Sequence, residues 1–326
     1  MKILVIYDLD TEKTPFSTHK FSGIEYETER HVFRTLKKLG HTVSVLGVFD
    51  TIDPLIKIID SGEIDLVFNL CESFQSDRKF ESYLPSLFEL KKIKYTGGNP
   101  EIISLCANKY LTKNLLEKEK ILTPRYALIK EKSELKNIPL NFPVILKINS
   151  FDGSESISKK SICTSQKELE AKAMNLFKKF PQNPILIEEY IQGKDIFVGI
   201  IFHQNKIRAL APMTIQYAKN EKYPIATFQV KWNENYQKSK KIKFIPFQEK
   251  ELLKQIRKKS LAIATSLAIK SYTRLDFRLN EKTGDLYFLE ANPNPNISKF
   301  DELAQSAKKE KINYETLIAS IIKKAA

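Results

Sequence analysis

Two carboxylates and an amide fall close together near the end of the chain. "TRLDFRLN" (273–280) and "DLYFLEAN" (285–292) are apolar segments separated by "EKTG", the pattern of a hairpin. With Asn280 opposite Leu286, antiparallel pairing sets Asp276 opposite Glu290 and Arg274 opposite Asn292. Side chains alternate along a strand, so Arg274, Asp276, Glu290 and Asn292 share one face. Directly opposed carboxylates repel and need a cation beside them. That cation is either a metal or a guanidinium, Arg274 or Arg278. An all-oxygen donor set suits Mg²⁺, which keeps phosphate oxygens and waters in its shell.

Two other stretches carry chemistry. "PVILKINSFDGSES" (143–156) sets Lys147 at a strand end, followed by a glycine and serine segment containing Gly153 and Ser154. Backbone N–H groups and hydroxyls there can hold phosphates while the lysine supplies a point charge. The stretch has a single glycine and matches no Walker pattern. "ILIEEYIQGKD" (185–195) runs an apolar strand into Glu188, Glu189 and Tyr190, then Asp195. A strand that becomes a connector offers backbone edge groups to a purine, and the acid beyond can take ribose hydroxyls. An ordinary surface turn with solvated acids reads the same way. His19, His31, His41 and His203 are scattered, and no Ser/His/Asp arrangement is visible.

These residues need elements to carry them. "KILVIYD" (2–8) is a continuous apolar run, the mark of a strand buried on both faces of a parallel sheet. A helix follows at 27–41, with Val32, Phe33, Leu36 and Leu39 on one face and Gly40 closing it. Strands at 41–49 and 63–73 and a helix before the latter extend the alternation, which predicts a parallel α/β domain over the first hundred residues. Beyond it come a helix at 108–124, strands at "RYALIK" and "FPVILKINS", and a helix at 165–180. A strand before a break at Gly193 and a long strand pair follow. After a polar stretch (216–242) come a helix, the hairpin and a C-terminal helix, an α+β pattern. Boundaries near 103 and 190 divide the chain into 1–103, 104–190 and 191–326.

Composition narrows the function classes. The 326 residues are 42% hydrophobic and 28% charged, which fits a folded globular chain. The net charge of +14 comes from basic residues dispersed in pairs and triplets on amphipathic patterns, so it reads as solvated helix faces. No interleaved aromatic and basic residues suggest base stacking, and no nucleic-acid partner is expected. Cys71, Cys106 and Cys163 are far apart, with no CxxC, which argues against a disulfide framework or zinc site and fits a reducing cytosol. The first apolar run is too short for a signal peptide, and no run approaches the roughly 18 residues of a membrane span. A cytoplasmic protein with no membrane partner is expected.

Taken in order, these segments resemble the ATP-grasp superfamily, in its D-alanine–D-alanine ligase-like branch, over nearly the whole chain. "FNLCES" and "KYTGGNP" resemble stretches of the family's first domain. "NKYLTKNLLEKEKILTP" resembles "DKxxxKxxLxxxGxxTP", which implies that Lys109 contacts ATP. "PVILKINSFDGSESIS" resembles "PVIVKPxxEDGSxGIS", which implies a second such lysine in Lys147 and a phosphate-covering loop around Gly153 and Ser154. "LIEEYIQGKD" resembles the adenine hinge. It implies Glu188 near the adenine amino group, Glu189, Tyr190 and Ile191 along its edge, and Asp195 on the ribose. "FQVKWNE" resembles a segment that brings Lys231 near the γ-phosphate. The hairpin resembles the family's most specific motif, which implies Asp276, Glu290 and Asn292 as magnesium ligands and Arg274 facing the reacting carbonyl.

The resemblance implies a three-domain fold: an N-terminal α/β domain on the substrate side, a central ATP-grasp subdomain, and a C-terminal one with the metal site. It implies ATP, two Mg²⁺ ions with Mn²⁺ as the other candidate, and small-molecule or peptide carboxylate and amine substrates. A homodimer through the first domain, as relatives often form, is a further expectation. The activity implied is a carboxylate–amine ligase acting through an acyl-phosphate. A true D-alanine–D-alanine ligase of cell-wall synthesis, a nucleotide-binding scaffold without catalysis, and a nucleic-acid binder with salt-dependent affinity are the rivals. Departures from the pattern bear on the choice. Asn108 stands for aspartate, Lys120 for glycine, Ile148 for proline, Phe151 for glutamate and Ser156 for glycine. "PNISKFD" replaces "PGMTxxS", so Asn296 stands for the glycine and Asp301 for the serine that meets the second substrate's carboxylate. An anionic Asp301 should repel a carboxylate and attract an amine.

Overall fold

The structure, a computed structural model, describes residues 1–9, 26–150, 161–217 and 223–325. Its elements build three sheets. The first is wholly parallel, in the order β2 (Thr42–Val48), β1 (Lys2–Asp8), β3 (Leu66–Asn69), β4 (Lys94–Tyr95). Its central strand alternates between two cores. Leu4 and Ile6 pack with Leu55, Leu84 and Phe88 from the crossover helices Asp53–Asp60 and Tyr83–Leu90. Ile3 and Val5 pack with Val32 and Leu36 of helix Glu27–Lys38 and with Leu317, Ile318 and Ile321 of the C-terminal helix Tyr314–Ala325. A strand buried on both faces has no polar side, hence the unbroken apolar run.

The second sheet is antiparallel, in the order β5 (Tyr126–Ile129), β8 (Ile185–Glu189), β6 (Val144–Ile148), β7 (Ile162–Cys163). Helix Gln166–Lys179 covers one face through Leu169, Ala173 and Phe177, spaced at i, i+4 and i+8. The third sheet runs β12 (Lys243–Pro246), β11 (Met213–Gln216), β9 (Lys194–His203), β13 (Thr273–Leu279), β14 (Leu286–Asn292), with β10 (Lys206–Ala209) paired to β9. Helix Lys250–Ser266 buries Ile256, Ile263 and Ala264 against it. Gly193 joins the second sheet to the third at φ +152°, and a Cβ there would meet the Leu279 carbonyl oxygen at 1.8 Å. Only glycine fits that crossing.

The structure departs from the sequence reading in several places. The third strand is shorter than 63–73 and spans Leu66–Asn69. The helix expected to reach Pro124 ends at Lys118, because Lys120 turns the chain at φ +58°. The polar stretch 216–242 holds two short helices, Phe228–Trp232 and Glu234–Ser239, capped by Thr227 and Asn233. They are too short to show a 3.6-residue period. Helices Pro100–Ala107 and Glu302–Lys309 were likewise not expected.

The hairpin corrects half of its expected register. Arg274 faces Asn292 and Asp276 faces Glu290 as predicted, but Leu279, not Asn280, faces Leu286. The turn explains this. Asn280 belongs to the loop, where its N–H donates to the Asp285 carbonyl (2.9 Å) and its side chain accepts from Lys282 N (3.0 Å). A bulge at Leu289 absorbs the one-residue offset between Asp276 and Phe277.

Candidate active site

The site lies where helix Lys109–Lys118, β6, β8 and the hairpin converge. Asn149, just past β6, explains how two distant lysines meet. Its carbonyl accepts from Lys109 N (3.3 Å) and its side chain from Tyr110 N (2.9 Å), so the end of β6 seats the start of the helix. Asn108 caps this helix, its side chain accepting from Leu111 N (3.1 Å).

The hairpin carboxylates are neutralised by side chains from four elements. Arg274 holds Asp276 in a two-point pair, Nε to Oδ1 at 2.7 Å and Nη2 to Oδ2 at 3.1 Å. Lys231 Nζ lies 3.0 Å from Asp276 and 3.7 Å from Glu290, and Lys109 Nζ lies 3.6 Å from Glu290. Arg278, the other candidate for that role, points away and pairs with Asp195 at 2.8 Å. Burial works to raise the Glu290 carboxyl, but Lys109, Lys231, Lys147 and Arg274 outweigh it and hold it well below the usual range. Burial likewise opposes the Arg274 charge, and Asp276, Glu302 and Glu290 more than offset it.

A second cluster sits deeper. Glu188 is fully buried, with Lys147 Nζ at 2.7 Å and Lys113 Nζ at 3.1 Å. Lys113 is itself fully buried and also donates to the Phe288 carbonyl at 3.3 Å, beside the hairpin bulge. Burial pushes its ammonium down, with Glu188 opposing. Sequence reasoning missed Lys113, although its place four residues after Lys109 puts both on one helix face. Five cations, Lys109, Lys113, Lys147, Lys231 and Arg274, thus surround three carboxylates, Glu188, Asp276 and Glu290. Such a surplus in a water-poor cleft favours an anionic, phosphate-rich occupant.

Arg278 organises the hinge side. It donates to Ile191 O (2.9 Å), Tyr190 Oη (2.8 Å) and Pro224 O (2.6 Å), while Tyr217 Oη donates to Asp195 (2.8 Å). Tyr217 also escaped the sequence reading, since its partner lies on another strand. Glu189 turns outward, accepting from Asn141 N (2.8 Å) and lying 3.5 Å from Arg125. Ile191, Tyr190 and Lys147 line a cavity of about 70 Å³ between the second and third sheets.

Asn292, Asn296 and Asp301 follow the hairpin outward. Asn292 Oδ1 accepts from Asn294 N (3.1 Å), Asn296 Oδ1 from Thr28 Oγ1 and Ser298 N, and Asp301 from Ser298 N (3.1 Å). Asn296 and Asp301 border a second cavity of about 770 Å³ that reaches Lys231. Ile148 is buried at the end of β6. Gly153, Ser154, Phe151 and Ser156 lie outside the described residues.

Among the described residues no cluster of three His, Cys, Asp or Glu side chains could hold a metal. Asp276, Glu290 and the Asn292 amide are a two-carboxylate set, which fits Mg²⁺ only where phosphate oxygens and water complete the shell. Among the described residues no helix is long and apolar enough to cross a membrane.

Comparison with known proteins agrees with this architecture. A sequence model described as D-ala D-ala ligase C-terminus matches residues 115–323. The D-alanine–D-alanine ligase of Pelagibacter ubique is 30% identical over 311 residues, covering 93% of each chain. That of Aquifex aeolicus is 27% identical over 300 residues, covering 92% of this chain and 94% of its own. The ligase of Bacillus anthracis, solved with ATP, superposes with a TM-score of 0.73 at 21% identity, covering 100% of this chain and 96% of that one. The VanG D-Ala:D-Ser ligase of Enterococcus faecalis superposes at 0.74 and 17% identity, covering 100% and 99%. The chain therefore belongs to the D-alanine–D-alanine ligase family, and is an ADP-forming, ATP-dependent carboxylate–amine ligase with the ATP-grasp fold.

Proposed function

We propose that the protein joins two small amino-acid-like substrates. A donor carboxylate oxygen attacks the γ-phosphorus of ATP; an O–P bond forms and the bond to ADP breaks. The amine nitrogen of the acceptor then attacks the acyl carbon. A C–N bond forms, phosphate leaves with the C–O electron pair, and the ammonium proton passes to solvent. The observation that carries this reading is the convergence of Lys109, Lys231 and Arg274 on the opposed pair Asp276 and Glu290.

In this reading Lys109, Lys147 and Lys231 receive the triphosphate charge. Arg274, its plane held by Asp276, stabilises the oxyanion, a contribution of about 3 kcal/mol at comparable sites. Asp276, Glu290 and Asn292 would hold one or two Mg²⁺ ions, or Mn²⁺, and a bound ion offsets charge on the phosphate oxygens. Tyr190, Ile191 and Asp195 take the nucleoside. Glu188 acts chiefly as the buried counter-ion of Lys113 and Lys147. The three sheets support domains 1–103, 104–190 and 191–326. The cavity of about 70 Å³ lies between the second and third sheets, beside Tyr190, Ile191 and Lys147.

D-alanine is the first substrate to test, because the relatives are named for it. Phosphate release is measured with pairs of amino acids and the products weighed by mass spectrometry. Release that requires both a donor and an acceptor supports the reading. ATP binding without release for any pair favours a scaffold.

A further inference from the structure

The following rests on the ligase reading and concerns how the cations of the reaction centre are held. We propose that Phe197 is a positioning residue for the reaction: its ring holds Lys231 and Arg274 in the site without taking up their N–H donors.

Phe197 lies on β9, between β11 and β13. Alternation divides that strand. Ile196, Val198 and Ile200 join the core that helix Lys250–Ser266 covers, while Asp195 and Phe197 line the cavity between the second and third sheets. The register sets Phe197 directly opposite Asp276 on one side and Met213 on the other. The ring is buried. Lys231 Nζ lies over it, 5.5 Å from the ring centroid, and the Arg274 guanidinium carbon lies over it at 5.7 Å. Both fall inside the roughly 6 Å within which an aromatic face attracts a cation, and the attraction grows where water is excluded.

The two cations also share the carboxylates of Asp276 and Glu290. The ring differs from those carboxylates in two respects. A carboxylate takes particular donors, as Asp276 takes Nε and Nη2 of Arg274. A π face attracts the cation as a whole, so the donors not given to Asp276 stay available to a phosphate or a developing oxyanion. Asp276 and Glu290 are, moreover, the carboxylates that would hold Mg²⁺, and charge they give to an ion is withdrawn from Lys231 and Arg274. A phenyl ring is no ligand for Mg²⁺, so its hold on both cations is not competed away.

Phe197 has a packing role as well. It shares a cluster with Val230, the neighbour of Lys231 in helix Phe228–Trp232, and with Phe244, whose ring centroid is 6.0 Å away. Phe244 borders the larger cavity and Lys231 borders both, so the ring stands where the two cavities meet.

Ring fluorines separate the two roles, because they withdraw electron density from the π face and leave the shape almost unchanged. Phe197 is replaced in the full chain by phenylalanine carrying one, two or three ring fluorines. Calorimetry in Mg²⁺ then compares a non-hydrolysable ATP analogue with ADP. Only the analogue brings a γ-phosphate to Lys231. Its affinity is expected to fall stepwise, about fivefold over the series, while ADP affinity and the melting temperature stay constant. In phosphate-release assays kcat should fall in the same order, through Arg274. Analogue affinity that is constant over the series, or ADP affinity that falls in step with it, would overturn the inference. The ligase reading is judged separately, by phosphate release from the unmodified protein, and the affinity series decides the role of Phe197 whatever that assay gives.

Discussion

Glu290 is the residue on which the site's charge balance turns. Its carboxylate draws Lys109 and Lys231 together and faces Asp276 across the hairpin. Glu290→Gln keeps the shape and removes the charge, so turnover is expected to fall at least a hundredfold in a coupled ADP assay. The substitution also has a pH signature. The folded-state carboxyl sits below its unfolded value of about 4.3, so Glu290 contributes stability above that pH and loses it as the pH falls toward its depressed value. The melting temperature of the wild type should therefore drop more steeply between about pH 5 and pH 3 than that of Glu290→Gln. Lys113 is a positioning residue, tying Glu188 on β8 to the Phe288 carbonyl on β14. Lys113→Met should leave Lys147 and the hairpin less well placed and raise the KM for ATP about tenfold with a smaller change in kcat. Steady-state kinetics with ATP varied reads that split.

At the scale of elements, two chain turns decide how the site is assembled. The helix that carries Lys109 and Lys113 stops because Lys120 adopts φ +58°, a conformation that costs a residue with a Cβ roughly 1–2 kcal/mol. Lys120→Gly should stabilise the protein by about 0.5 kcal/mol, the relieved strain exceeding the extra freedom of the unfolded chain. Urea denaturation measures it. The second turn is the bulge at Leu289. Its offset lets a loop starting at Asn280 coexist with Asp276 facing Glu290. The hairpin's shared face of Arg274, Asp276, Glu290 and Asn292 was legible from alternation alone, because alternation is a local property of a strand. The bulge was not, because it depends on how the loop closes.

The three sheets of the molecule are tied to one another. The C-terminal helix closes one face of the first sheet, while β9, in the third sheet, follows directly from β8 in the second through Gly193. Nucleotide bound in the cleft should therefore stabilise the fold cooperatively. At a hundred times its dissociation constant, ATP with Mg²⁺ adds about 2.7 kcal/mol, which a thermal-shift assay reads as a rise of a few degrees. Lys147→Ala should abolish most of that rise at the same nucleotide concentration.

By itself the sequence determined the buried parallel strand at 2–8, the paired faces of Asp276 and Glu290, and the family to which its ordered motifs point. Each of these depends on residue type and spacing along a few consecutive positions. Only the tertiary structure decided which cations neutralise the hairpin, that Arg278 serves Asp195 instead, and that Lys113 lies under the site. It alone brought Asp8 and Glu29 into one cavity with Asp301 and Glu302. Charge and burial act through space between residues far apart in the chain, and no local period records which of them will meet.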